Sequence, residues 1–183
     1  MIWPFLLAAA LLSVERLAYA WIWRRPEEFR AWCSRLAIDR IRPVDALRHL
    51  FYGFKVLQVA VFAGWCYLYG GRSVRLDAGA GPIVAGAVLI AIGQVLNFAV
   101  FYRLGNIGVF YGNRFGHLSL SCRRFPFSVF DHPQYVGAVL SIWGLFLILR
   151  FPHGDWIALP LLETAYYYLG ARAERVPDEV FHG

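Results

Sequence analysis

Between Leu104 and Tyr135 the chain reads LGNIGVFYGNRFGHLSLSCRRFPFSVFDHPQY, and most of its chemistry-bearing side chains gather there. Gly105, Gly108, Gly112 and Gly116 recur at intervals of three or four residues. Small residues at that spacing let helix backbones approach closely. The intervening Asn106, Asn113, Arg114 and His117 are too polar for a lipid-facing helix. The same stretch therefore also reads as a glycine-lined surface, with amide and basic side chains able to hold a polar cofactor. Spacing alone leaves both readings open. Asp131-His132-Pro133-Gln134-Tyr135 follows. Proline biases His132 toward an extended backbone and can open a helix with Asp131 or His132 near its cap. Such an N-terminus suits a carboxylate or phosphate, and a plain capped helix start is the alternative.

A second group of polar residues lies inside apolar stretches. Glu163 in the last apolar segment should face the interior and have a partner, with Arg16 or Lys55 as candidates. Glu15 and Arg16 are expected to pair with buried charges. Tyr166, Tyr167 and Tyr168 read as an interfacial belt. Glu174, in Arg172-Ala173-Glu174-Arg175, reads as part of a solvated cluster unless it folds back over the glycine-rich stretch.

These residues need a scaffold, and composition names its class. Of 183 residues, 59% are hydrophobic and 16% charged, against roughly 25% charged in ordinary globular chains. Aromatics reach 17%, with 7 Trp, 10 Tyr and 15 Phe, which suits interfacial anchoring as well as a core. Disorder and a disulfide-stapled module are excluded, and a water-soluble enzyme is disfavoured. Cys33, Cys66 and Cys122 are widely spaced and form no CxxC, so no metal site is expected.

A bilayer core needs about 20 apolar residues per helix. Ile2–Trp23, His49–Tyr69 and Pro82–Leu104 meet this. Ala18-Tyr19-Ala20 resembles a cleavage site, but Glu15-Arg16 just before it and the lack of a basic residue ahead of the run favour a retained span. Tyr135–Phe151 and Asp155–Leu169, separated by Pro152-His153-Gly154, read as a helical hairpin. The expected fold is thus all-α, a polytopic membrane helix bundle of three spans plus a C-terminal hairpin, with four spans as the alternative. Arg25–Asp45, with Trp32, Leu36 and Ile38 at helical spacing, reads as an interfacial amphipathic helix.

The net charge is +6, from 18 Lys+Arg against 12 Asp+Glu. The positive residues concentrate in two stretches and the tail: Arg24 to Arg48, Arg103 to Arg124, and Arg172 with Arg175. Only Arg72, Arg75 and Arg150 fall on the alternate side. This asymmetry places the N-terminus outside and the arginine-rich loops and C-terminus in the cytoplasm. The basic excess reads as topology and anionic headgroups rather than nucleic acid. The alanine- and arginine-rich composition, with one lysine, fits a bacterial inner membrane. A homodimer is compatible with the sequence.

Taken together, these residues resemble the small integral-membrane phospholipid N-methyltransferases of the phosphatidylethanolamine N-methyltransferase type. The resemblance runs from about Leu89 to Phe181. Its strongest parts are Gly112-Asn113-Arg114-Phe115-Gly116, Phe125-Pro126-Phe127 and Asp131-His132-Pro133-Gln134-Tyr135-x-Gly137, where the family pattern is close to GDYFG, FPFN and DNPxYxG. The His-Pro-x-Tyr-x-Gly form also occurs in isoprenylcysteine carboxyl methyltransferases and membrane sterol reductases.

The resemblance implies a single integral-membrane methyltransferase domain over residues 1–183, its cofactor site drawn mainly from 89–137 and 163–179. It implies S-adenosylmethionine as donor and a phospholipid amine as acceptor, toward phosphatidylcholine. A family Gly-x-Gly falls on Ala91-Ile92-Gly93 and a Glu-Glu pair on Ala173-Glu174, so Gly93 and Glu174 are the retained members. Gly105, Gly112 and Asn113 join them as cofactor candidates. Glu174 would meet the donor's ammonium, Tyr135 or Tyr111 its sulfonium through a cation–π contact, and the helix start near His132 its carboxylate. His117, His132 and Glu174 are candidates to remove the acceptor's proton. Arg114, Arg123 and Arg124 are candidates for the lipid phosphate, or else topology charges. Another lipid, carboxylate or thiol acceptor is the second reading, and a non-enzymatic membrane scaffold the remote one.

Overall fold

The computed structural model describes residues 2–35, 42–70, 78–117 and 124–174. Among them every regular element is helical: α1 (Ile2–Arg24), α2 (Pro26–Arg35), α3 (Pro43–Tyr69), α4 (Ala80–Val109), a 3-10 turn (Gly112–Phe115), α5 (Pro133–Leu149) and α6 (Ala158–Ala173). Three helices, α1, α3 and α4 with the turn that follows it, are long and apolar enough to cross a membrane, and α5 is a shorter apolar helix. The expected three spans plus hairpin therefore stand.

Helical periodicity sorts each span into an inner and an outer face. On α1 the buried positions are Ala8, Leu12, Glu15, Arg16, Tyr19 and Ile22, one stripe at steps of three or four with Arg16 alongside. On α4 the exposed stripe is Val84, Val88, Ile92, Val95, Phe98 and Tyr102, an apolar face suited to lipid. The opposite face of α4 packs on α5 along most of its length. Facing glycines permit this: a Cβ at Gly137 would come within 2.6 Å of the Gly93 carbonyl oxygen, and one at Gly86 within 2.6 Å of that of Gly144. By contrast α4 touches α3 at few positions.

Two apolar clusters make the core. Leu12, Phe62, Trp65, Ile142, Phe146 and Leu159 belong to one, and Tyr19, Ile22, Phe29, Leu47, Phe110 and Phe115 to the other. Glu15 and Arg16 on α1, and Lys55 and Gln58 on α3, fall between the residues that these clusters take from each helix. Near the α5–α6 turn, Arg150 pairs with Asp155, whose Oδ2 also accepts from Trp65 Nε1 at 2.9 Å.

Several expectations change. Arg25–Asp45 is not one helix: α2 is described over Pro26–Arg35, Pro43 opens α3 after the extended Arg42, and Asp45 sits in the first turn of α3 bonded to Arg42 at 2.9 Å. Leu36, Ile38 and Arg40 lie outside the described residues, as do Arg72, Arg75, Cys122 and Arg175. Glu163 does not pair with Arg16 or Lys55. Both cations turn to Glu15, at 3.2 and 3.3 Å, and Glu163 accepts from Gln58 Nε2 at 2.8 Å. The three tyrosines are not one belt. Tyr168 is exposed, Tyr166 donates to the Ala9 carbonyl, and Tyr167 is core. Three consecutive residues span three directions around a helix, so they cannot share a face.

Candidate functional site

A cavity of about 620 Å³ lies among α1, α3, α4, the segment that closes α4, the start of α5 and the end of α6. Its shape begins with a break. Gly105 has φ 60° and ψ −176° inside α4, a conformation that glycine adopts at little cost. The helix resumes briefly and ends at Val109. Tyr111 then takes φ 55°, and Gly116 φ 82°. Two left-handed residues around one 3-10 turn fold this segment back against α1. Left-handed backbone is uncommon for a tyrosine, and contacts hold it there. The Tyr111 ring meets Trp23 edge-on at 5.0 Å and Tyr19 at 6.2 Å.

Glu174 caps the C-terminus of α6. A carboxylate there opposes the helix dipole, so it needs donors. Tyr111 and Tyr135 both supply them, each hydroxyl donating to Oε1 at 2.5 Å. Three elements thus converge on one carboxylate: the α4 exit, the first turn of α5 and the end of α6. Tyr135 also stacks on His132, ring centres 5.6 Å apart and 16° from parallel. His132 is the residue before Pro133 at the start of α5, with φ −126°, and its side chain makes no capping bond. The imidazole is left facing the cavity that it lines.

The opposite wall is charged. Arg16 Cζ sits 3.7 Å from the centre of the Tyr167 ring and 5.8 Å from that of Tyr135. Lys55 Nζ donates to Gln58 Oε1 at 3.0 Å and to the Tyr167 hydroxyl at 3.2 Å. Between these walls stand Asn97 and the apolar Phe98, Phe101 and Leu104 of α4. Phe98 is also strongly exposed on the outer face of α4. Phe98 thus belongs both to the cavity wall and to the outer face of α4, and α4 makes few contacts with α3.

Of the cofactor, base and lipid-phosphate candidates named from the sequence, Tyr111, Asn113, His132, Tyr135 and Glu174 come together at this cavity. The others lie elsewhere. Gly93 is buried in the α4–α5 seam against Gly137. Gly105 supplies the break, and Gly112 packs on Ile107. Arg114 is committed to α1: its Nε and Nη2 donate to the Trp23 carbonyl at 3.0 and 2.7 Å. His117 and Arg124 are exposed and do not line the cavity. Arg123 lies outside the described residues. In the sequence Glu15, Arg16 and Lys55 read as charges that need structural partners, with nothing to set them beside the site. The signal was present, because ionisable residues within apolar spans mark functional interiors and Glu15, Arg16 and Tyr19 share the buried face of α1.

Comparisons with known proteins give the family. Residues 82–176, a little over half of the chain, match the family model described as phospholipid methyltransferase. A phosphatidyl-N-methylethanolamine N-methyltransferase of Arabidopsis thaliana is 48% identical over 54 residues, 30% of this chain and 33% of that protein. One of Saccharomyces cerevisiae is 39% identical over 70 residues, 38% of this chain and 34% of that protein. A phosphatidylethanolamine N-methyltransferase of Rattus norvegicus is 40% identical over 83 residues, 45% of this chain and 41% of that protein. The chain thus spans about a third to two-fifths of the length of these relatives. No solved structure matches it. The matched residues 82–176 contain α4 from Pro82 on with its glycine break, the His132–Tyr135 start of α5 and Glu174, the parts that build one side of the cavity, and by that match the chain belongs to the phospholipid methyltransferase family.

Proposed function

We propose that this protein transfers methyl groups from S-adenosylmethionine to the amine of phosphatidylethanolamine, of its mono- and dimethyl derivatives, or of both, toward phosphatidylcholine. The observation that carries the reading is the convergence of the Tyr111 and Tyr135 hydroxyls on Glu174 at the end of the cavity. S-adenosylmethionine supplies, when bound, an electrophilic methyl on a sulfonium, beside an ammonium and a carboxylate. The residues present fit those needs. Glu174 offers a carboxylate for the ammonium, Tyr111 and Tyr135 offer aromatic faces beside it, and Asn113 offers an amide. Buried polar atoms on the same walls, Asn97 Oδ1 and the Tyr19 hydroxyl, have no partner among the described residues. The volume lies within the range of small-molecule sites.

The chain's part in the reaction is alignment and proton removal. In the step proposed, the acceptor nitrogen's lone pair forms the new N–C bond as the C–S bond breaks and its electrons stay on sulfur. Holding the three atoms in line supplies much of the acceleration. The ammonium must first lose its proton, and His132, stacked on Tyr135 and facing the cavity, is the base best placed for it. Glu174 is second. His117 and Gly93, Gly105 and Gly112 take no direct part, since they lie off the cavity wall. The lipid would enter between α3 and α4, where Phe98 reaches both the cavity and the outer surface.

In the orientation proposed, the N-terminus lies outside and the cavity faces the cytoplasm, on the arginine asymmetry of the loops. The bacterial inner membrane rests on composition alone, because the relatives named above come from a plant, a yeast and a rat. A second copy of the chain plays no part in the proposal, since one chain supplies every side chain used. The test is methyl transfer by the purified protein in lipid micelles with labelled S-adenosylmethionine. Phosphatidylethanolamine and its mono- and dimethyl forms are offered separately. Label in any of the three amines supports the reading and identifies the steps performed. Cofactor binding with no labelled lipid amine overturns the acceptor.

A further inference from the structure

We propose that Arg16 is the oxyanion anchor of the cavity, its guanidinium taking the carboxylate of the methyl donor or the phosphodiester of the lipid. The inference rests on the function proposed above and deepens it, drawing on α1, outside the matched residues 82–176. Arg16 is 9% exposed and lines the cavity. Its Nη2 lies 3.2 Å from Glu15 Oε1, yet neither Nε nor Nη2 makes a hydrogen bond with any described residue. Buried donors without an acceptor are costly, above all on a charged group. A cavity wall that carries two of them lacks an acceptor that a ligand can supply.

Neighbouring charges give the sign of that ligand. Glu15 Oε1 is shared between Arg16 and Lys55. Lys55 is further satisfied by Gln58 and Tyr167, whereas Arg16 is not. On the wall itself one carboxylate faces two cations, and the Glu163 carboxylate, within electrostatic range of both, offsets part of that excess from behind. Glu163 stands behind Gln58, buried and off the wall. The Tyr19 hydroxyl, also without a partner, adds a second donor.

Tyr135 joins this corner to the carboxylate. Arg16 is within reach of its ring, and its hydroxyl binds Glu174. A cation and an anion set on either side of one tyrosine complement a ligand that carries an ammonium and an oxyanion a few bonds apart. The amino-acid end of the donor and the phosphoethanolamine headgroup both have that form.

Equilibrium binding by the full chain in detergent, with Arg16→Gln, Arg16→Met and Arg16→Lys, separates the two sources. S-adenosylhomocysteine carries the carboxylate, and methylthioadenosine lacks it. If Arg16 holds the donor, both neutral variants lose S-adenosylhomocysteine affinity by about 10- to 100-fold and keep that for methylthioadenosine, with Arg16→Lys between. If it holds the lipid, both nucleosides bind unchanged and the KM for the phospholipid rises by a similar factor. Either result supports the anchor. Neutral variants that bind donor analogue and lipid as the wild type does overturn it and leave the proposed function intact. Neutral variants that both lose methylthioadenosine assign Arg16 to folding and overturn it as well. A wild-type protein that binds no S-adenosylhomocysteine overturns the proposed function, and the anchor with it.

Discussion

The hydroxyl of Tyr111 donates to the carboxylate of Glu174 at 2.5 Å across 63 positions of sequence. Tyr111 stands in left-handed backbone at the α4 exit and Glu174 at the last turn of α6. The bond therefore ties the α4 exit to the end of α6 at the cavity, and Tyr135 doubles it.

Glu174→Gln keeps an acceptor for both phenols but removes the charge. Affinity for S-adenosylmethionine should fall about 10- to 100-fold, as for a charge-assisted bond, while thermal unfolding moves little. Tyr111→Phe and Tyr135→Phe should each cost about 3- to 10-fold, and the double variant less than the product, because the two share one acceptor. Isothermal titration of the four variants beside the wild type checks this.

His132→Ala should lower kcat at saturating donor and lipid by about 100-fold or more, the scale of a general base. His117→Ala, exposed and off the cavity, should leave kcat and both KM values near wild type. Equal losses in the two variants would contradict the assignment.

Arg114 was a candidate for lipid phosphate on sequence grounds, but it is bonded twice to the Trp23 carbonyl. Arg114→Met should therefore destabilise by about 1–3 kcal/mol, seen as a lower unfolding midpoint, with the KM for phospholipid unchanged in the folded fraction. A raised lipid KM with full stability would restore the phosphate reading.

Gly137→Ala places a methyl within 2.6 Å of the Gly93 carbonyl oxygen and should cost about 1–3 kcal/mol through overpacking of the α4–α5 seam. Gly53→Ala in α3, where nothing lies within 4 Å of the new Cβ, should gain about 0.5–1 kcal/mol. Unfolding midpoints of both variants in one detergent read the contrast.

The Arg150–Asp155 pair makes a pH prediction. Burial pushes the Asp155 carboxyl up, but bonds from Arg150 and Trp65 hold it below its ordinary 3.8. Its contribution to stability is thus present above the ordinary carboxylate range and lost as pH falls through the lower folded value. Arg150→Met should remove that acid dependence, and it should destabilise at neutral pH by about 3–5 kcal/mol by leaving a buried charge unpaired. Unfolding midpoints against pH for both proteins check it.

The spans were legible because lipid imposes length and apolarity on every helix, and the start of α5 because Pro133 admits few alternatives. Glu174 was legible through its motif. What it does locally was not, since the bonds to Tyr111 and Tyr135 depend on how α4 ends. Gly93 and Gly137 show the limit most clearly. Glycine at helical spacing serves a cofactor or a neighbouring backbone equally well, and only the position of α5 decides for the backbone. Arg16 is legible only as half of an ion pair, because sequence shows that a charge needs a partner but not how many of its donors the partner meets.

The most direct measurement is labelled methyl transfer to phosphatidylethanolamine and its mono- and dimethyl forms, wild type beside Glu174→Gln in the same micelles. The account predicts label in at least one lipid amine for the wild type, reduced at least about 10-fold in the variant at subsaturating donor. Lipid labelling that is equal in the two proteins, or a wild type that binds donor and labels no lipid amine, would contradict it.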